Sequence, residues 1–244
     1  MRFPILVDVL VGHLRGAMIW GLALASVSAM YIAFWPLMDS EQMMGLIETM
    51  PEALIKGMGY DRIGTPGGYI TSTVYGLIGP ALLMVYVITK GARLISGEEE
   101  DGTLELELTS PVDRGRVYGE RLAALWILCS GLVCVVGSTT FLLVLILDMA
   151  VPATNIAAGS LGLLLFLLGM GTLAFAVGAA TGRHGLALGV ASAVAVGSFM
   201  FNAIGPVVGA DWMAAVSPFS WYLAENPLDT GFDWFGLARL SVLP

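Results

Sequence analysis

Apolar residues fill this chain in five long blocks, at about 16–37, 69–88, 122–147, 157–180 and 186–204, with polar stretches between them. Crossing the hydrocarbon core of a bilayer takes roughly 20 mostly apolar helical residues, so each block predicts a membrane-spanning helix. The boundaries carry breakers. Pro36, Asp39, Ser40 and Glu41 close the first block, and Asp148, Pro152 and Asn155 mark the exit between the third and fourth. Gly79 and Pro80 fall inside the second, where Pro80 has no amide hydrogen to give the helix and a kink is expected. The sequence TGRHG at 181–185 is long enough only for a tight turn, which makes the fourth and fifth spans an antiparallel hairpin.

The segments outside the blocks are patterned too. In residues 1–15, Ile5, Leu6, Val9, Leu10 and Leu14 lie near one helical stripe with Asp8 and Arg15 off it, the pattern of a helix lying in the membrane interface. The polar face is small, and the same residues also fit an early start to the first span. Residues 39–68 form a mixed polar loop with Glu41, Glu48, Glu52, Asp61 and Arg62, expected to carry a short amphipathic helix before the TPGG at 65–68. From 205 to 235 the apolar pattern is broken by Gly205, Pro206, Gly209, Asp211 and Pro218, too often to span. Trp212, Phe219, Trp221, Tyr222, Phe232, Trp234 and Phe235 give it the composition of an outer-interface belt. A re-entrant segment of short helices dipping into the outer leaflet is expected there, rather than an ordinary surface loop. The final LARLSVLP falls where a sixth span would begin, and that span is expected to be truncated or replaced by an unusual tail.

Composition sharpens this picture. Of 244 residues, 57% are hydrophobic and 12% charged, where a soluble domain carries about 25% charged residues. Water is not the main solvent. The expectation is one all-α membrane domain over 1–244, a polytopic bundle of five to six transmembrane helices. The net charge of −8 comes from acids in two loops and a tail, and describes loop chemistry. Arg2, Arg15, Lys90, Arg93, Arg114, Arg116, Arg121 and Arg183 fall on one side if the N-terminus is inside, with Lys56, Arg62 and Arg239 on the other. The positive-inside rule then puts the N-terminus and the 89–121 segment in the cytoplasm of a multi-pass protein of the cell membrane. Asp8, His13 and Arg15 interrupt the first apolar run and no small-residue cleavage site follows, so the N-terminus is expected to be retained.

Little in the chain suggests catalysis. Cys129 and Cys134 lie five positions apart in one span, off a shared face, and read as packing residues; His13 and His184 stand singly near boundaries. No metal site, catalytic residue or nucleic-acid partner is expected. There is no GxxxxGK[ST] phosphate loop, so nucleotide hydrolysis would have to come from another polypeptide. The spans carry no charged residue between the boundaries drawn, which argues against an ion or proton relay and for a hydrophobic or amphipathic cargo. Gly185 and Gly189 have the GxxxG spacing that permits close helix packing, a pattern common in membrane helices.

The most polar stretch, 89–121, contains GEEEDGTLELELTSPVDRGRVYGER. Ser110 suits an N-cap, Pro111 the first helical position and Asp113 the first-turn acid. Two short helices joined by TSP are the simplest geometry, because LELEL as a lone strand beside a bilayer would leave its backbone unpaired. By residue type alone the stretch reads either as a solvated charged face ending two spans or as a docking element for a cytoplasmic partner.

This stretch resembles the cytoplasmic loop of type-2 ATP-binding-cassette (ABC) permeases: two acids, a few residues, GTLE, leucines, a small-Pro-Val pair and a basic residue before the third span. Glu99, Glu100, Gly102, Thr103, Leu104, Glu105, Leu108, Pro111, Val112 and Arg114 match that pattern position by position, and SPFSWY at 217–222 is similar to the family's outer re-entrant segment. The likeness covers nearly the whole chain. It implies a half-transporter that pairs with a second permease chain, as a homodimer or heterodimer. Through this loop it would bind a separate ABC ATPase subunit, which holds the ATP and Mg. Glu99, Glu100 and Glu105 would face basic or polar groups of the ATPase, with Leu104 and Leu108 as apolar anchors. The path would run between paired units, lined by the first, second and fifth spans, and would export a lipid-like molecule, drug or antibiotic from among the membrane lipids. Two other classes stand beside this one. The first is a noncatalytic membrane anchor or assembly factor, and the second an integral-membrane enzyme using the 98–101 acids for a divalent cation.

Overall fold

Pro4 is the only proline before residue 36, and from it the chain runs as one helix, α1 (Pro4–Ala33), followed by the short α2 (Trp35–Met38). The structure, a computed structural model, describes residues 3–38, 45, 49, 63–100, 114–223 and 226–244. Residues 4–15, expected as part of an interfacial helix, are therefore the first turns of α1 and continuous with the first span. Proline in the first turn pre-sets helical geometry, and Gly12 and Gly16 do not stop the helix. Thirty residues at 1.5 Å each extend about 45 Å, beyond a hydrocarbon core of roughly 30 Å, so α1 tilts or projects past it.

The second span starts at Thr65, whose hydroxyl caps the helix by accepting from the Gly68 amide at 2.9 Å. It passes from α3 (Pro66–Ile70) through a π-helical stretch (Thr71–Ile78) into α4 (Gly79–Glu100). Just before Pro80, where the sequence predicts a kink, the helix widens into π turns. The remaining spans are α5 (Arg114–Ile146), α6 (Ala153–Thr181) and α7 (His184–Val208), with Gly182 at φ 63° closing α6 before the turn into α7. Among the described residues, five helical stretches are long and apolar enough to cross a membrane, one for each predicted block. Two boundaries differ. Most of the described part of 89–121 is helical stem, because α4 runs on to Glu100 and α5 starts at Arg114. The fifth span also runs through Pro206 to Val208, tolerating the proline in its last turn.

Beyond α7 come four short helices, α8 (Asp211–Val216), α9 (Pro218–Leu223), α10 (Pro227–Thr230) and α11 (Trp234–Leu240). They cap one end of the bundle; the other, here called the N-terminal end, carries the starts of α1 and α5 and the end of α4. The predicted aromatic belt is split between two roles. Trp212, Trp234 and Phe235 are exposed, whereas Phe219 and Tyr222, 1% and 4% exposed, belong to the core. α9 turns both rings onto Phe166 of α6, Phe219 edge-on at 5.5 Å and Tyr222 stacked at 6.0 Å.

Helix α6 is the centre of the bundle, packed against α4, α5 and α7, while α1 lies on α5 and both α1 and α7 flank the second span. Lipid offers no hydrophobic drive for helices to associate, so small residues that let backbones approach supply the contact. A methyl added at Gly91 of α4 would come within 2.6 Å of the Gly171 carbonyl oxygen on α6. No strand occurs among the described residues.

Candidate functional site

At the N-terminal end, α4 and α5 are the two stems of the predicted docking segment. Gly102, Thr103, Leu104, Glu105, Leu108, Pro111 and Val112 lie outside the described residues, as do the side chains of Glu99, Glu100 and Arg114. The described residues do reveal how the stems are held. Arg121 on α5, 2% exposed, donates from its guanidinium to the Leu94 carbonyl on α4. Its neighbour Glu120, 5% exposed, accepts from Arg116 Nε at 2.6 Å and from the Leu6 amide of α1 at 3.1 Å. First-turn amides have no intrahelical partner and carry the positive end of the helix dipole, so a carboxylate suits that position. One turn of α5 thus grips both α4 and α1. Sequence reading treats Glu120 and Arg121 only as boundary charges. The available signal is an acid–base pair at the mouth of an apolar run, where buried ionisable groups are costly and kept for a purpose.

Between α4 and α7 lies a cavity of about 390 Å³, in the range of small-molecule sites. Leu77, Pro80, Ala81, Met84, Val85 and Ile88 form one wall, Leu188, Ala195, Val196 and Phe199 the other, and Phe219 of α9 closes the capped end. Among the described residues, no charged one lines it, and Thr89 and Ser192 are its only polar side chains. Leu77 and Thr89 are twelve residues apart, so the cavity runs about 18 Å along the helix. Thr89 sits at the end away from Phe219, giving a long apolar compartment with a hydroxyl at its N-terminal end. Such a compartment accommodates an alkyl chain or fused rings and offers one hydrogen-bonding group to a polar end.

Beside the cavity, α7 presents Gly185, Gly189, Ala193 and Gly197 at four-residue intervals along one face. A methyl added at any of these three glycines meets nothing within 4 Å, and Leu186, Val190 and Val194 next to them are exposed. Among the described residues, nothing packs against the GxxxG glycines.

At the capped end, Thr65 also donates to Asp229 Oδ2 at 2.9 Å, and Asn155 Nδ2 donates to the Leu228 and Asp229 carbonyls at 3.1 and 3.0 Å. These bonds fasten α10 across the starts of the second span and α6. The family model described as ABC-2 family transporter protein matches residues 12–223, from the third turn of α1 to the end of α9. The chain belongs to the ABC-2 transporter family. No curated protein and no solved structure matches it. This ABC-2 permease is a multi-pass membrane subunit of an ABC transporter, and its family works with an ATPase carried by a partner subunit. Within the permease, the matched region takes in the α4 and α5 stems, the cavity and the open face of α7.

Proposed function

We propose that this permease exports a hydrophobic or amphipathic molecule through the cavity between α4 and α7, as one of two paired permease chains. A separate ABC ATPase docks on the polar segment between α4 and α5. The cavity carries this reading. It is uncharged, elongated, and bordered by Val85 and Val196, each more than half exposed. A cargo already dissolved in the membrane enters such a site without shedding a hydration shell. The open glycine face of α7 supports pairing alongside it.

The docking role goes to Glu99, Glu100 and Glu105, with Leu104 and Leu108 as anchors and Gly102, Thr103, Pro111 and Arg114 shaping the segment. Closure of the ATPases around ATP and Mg tilts this segment, and Arg121 and Glu120 pass the tilt to α4 and α1. The N-terminal end then faces the cytoplasm of the cell and the capped end faces outward.

Purification from native membranes in mild detergent tests this. The wild-type permease should bring down a stoichiometric ATPase whose rate rises with added amphiphile. Reversing charge with Glu99→Lys and Glu100→Lys should release that ATPase. Ala81→Trp, which fills the cavity, should keep the ATPase bound and abolish the amphiphile response. No ATPase with the wild type would leave a membrane anchor or enzyme. Unchanged copurification after charge reversal would remove the docking role, and an intact response in Ala81→Trp would move the cargo elsewhere.

A further inference from the structure

The π-helical stretch of the second span ends at a missing rung. Gly79 donates its amide to the Val74 carbonyl, five residues back. In the same register residue 80 would donate to Tyr75, and Pro80 has no amide hydrogen. The Tyr75 carbonyl is nevertheless satisfied: the Tyr222 hydroxyl, reaching over from α9, donates to it at 3.0 Å. Burial, with a smaller push from Tyr75, holds the Tyr222 phenol well above its ordinary range, so it stays a donor.

The other side of α9 is fastened to α7. Ser217 caps α9 by accepting from the Ser220 amide at 3.1 Å, and it gives its own proton to the Ser198 carbonyl at 2.7 Å. Ser198 Oγ accepts from the Phe219 amide at 2.9 Å and donates back to Ser217 Oγ at 3.2 Å. Ser220 Oγ donates to Asn202 Oδ1 at 3.1 Å. Among the described residues, four polar bonds thus join α9 to α7, and the Tyr222 bond joins it to the second span. Phe219, between the two attachments, closes the cavity.

We propose that α9 is a gate across the capped end of the cavity, hinged on α7 by the serine cluster and latched to the second span by Tyr222. The inference rests on the cavity being the cargo path. The latch also sets the shape of the second span. If the π stretch tightens to α register, the Gly79 amide turns to the Tyr75 carbonyl and the unpaired position moves to Gly76. Tyr222 therefore holds the π register only while α9 is seated, and opening the gate and rewinding the span are one event. Glycine at 76 and 79 fits this design, since a methyl at either would come within 2.7 and 2.5 Å of the Thr71 and Val74 carbonyl oxygens in the π form.

The test uses the full chain in lipid nanodiscs, with Cys134→Ala removing the exposed native thiol and Ala81→Cys placing a reporter in the cavity. A charged, water-soluble maleimide reads how often the cavity opens to water. Tyr222→Phe keeps the ring on Phe166 and removes the latch bond. It should raise the labelling rate about tenfold, the factor one lost buried hydrogen bond supplies. Tyr69→Phe removes a similar bond, from the Tyr69 hydroxyl to the Tyr31 carbonyl at 2.6 Å, away from α9, and should leave the rate unchanged. No rise with Tyr222→Phe, or an equal rise in both variants, overturns the gate. The labelling needs neither cargo nor ATPase, so it is read separately from the amphiphile response of Ala81→Trp.

Discussion

Glycines on α4 and α6 and glycines on α7 sit in opposite settings. At Gly91 and Gly171 the two backbones touch, and a side chain on either would strike a neighbour. At Gly185, Gly189 and Gly197 the space beyond the Cα is empty. Glycine costs helix stability wherever it occurs in a helix interior, roughly 0.5–1 kcal/mol relative to alanine. On α6 the return is visible in the close contact with α4. On α7 nothing among the described residues supplies it, which fits the proposed pairing with another chain.

The largest effect expected from breaking this contrast is at Gly91→Val. The obstacle is a backbone oxygen that cannot rotate away, so the variant should lose about 3 kcal/mol or more. It should fail to give folded protein on size-exclusion chromatography. Arg121→Met comes next, because it removes the buried guanidinium's bond from α5 to the Leu94 carbonyl on α4 and should cost about 1–3 kcal/mol. Its detergent-solubilised unfolding temperature should fall by roughly 2–4 °C for each kcal/mol. Gly189→Ile should leave the fold of the single chain within about 0.5 kcal/mol of wild type, while weakening pairing about tenfold in a dilution series. If Gly189→Ile destabilises the single chain as Gly91→Val does, the two sets of glycines are not different in kind.

The five spans were legible because an apolar block of that length has one stable form in a bilayer. The hairpin at 181–185 was legible for a similar reason, since five residues permit only a turn. Other features depend on partners distant in sequence. Phe219 and Tyr222 read as interface aromatics because nothing local says that Phe166 lies across from them. Pro80 announces a disturbed helix, yet its consequence, a carbonyl passed to Tyr222, is visible only once residues 75 and 222 are brought together. The same holds for Glu120, whose target is an amide 114 positions away. The expected interfacial helix over 1–15 was lost to continuity: its stripe of apolar residues has the same period as a span, and no breaker divides them. The docking residues from Glu99 to Arg114 were read by resemblance, and they remain part of the proposal.

Photo-crosslinking in native membranes tests the paired-permease account most directly. A photoreactive leucine analogue at Val190, on the open face of α7, is compared with one at Leu142 on α5, which is also exposed. The account predicts a product from position 190 that contains a second permease chain, and none from position 142. If position 190 reacts only with lipid, as position 142 should, the face is not a contact between chains and the paired transporter proposed here is wrong.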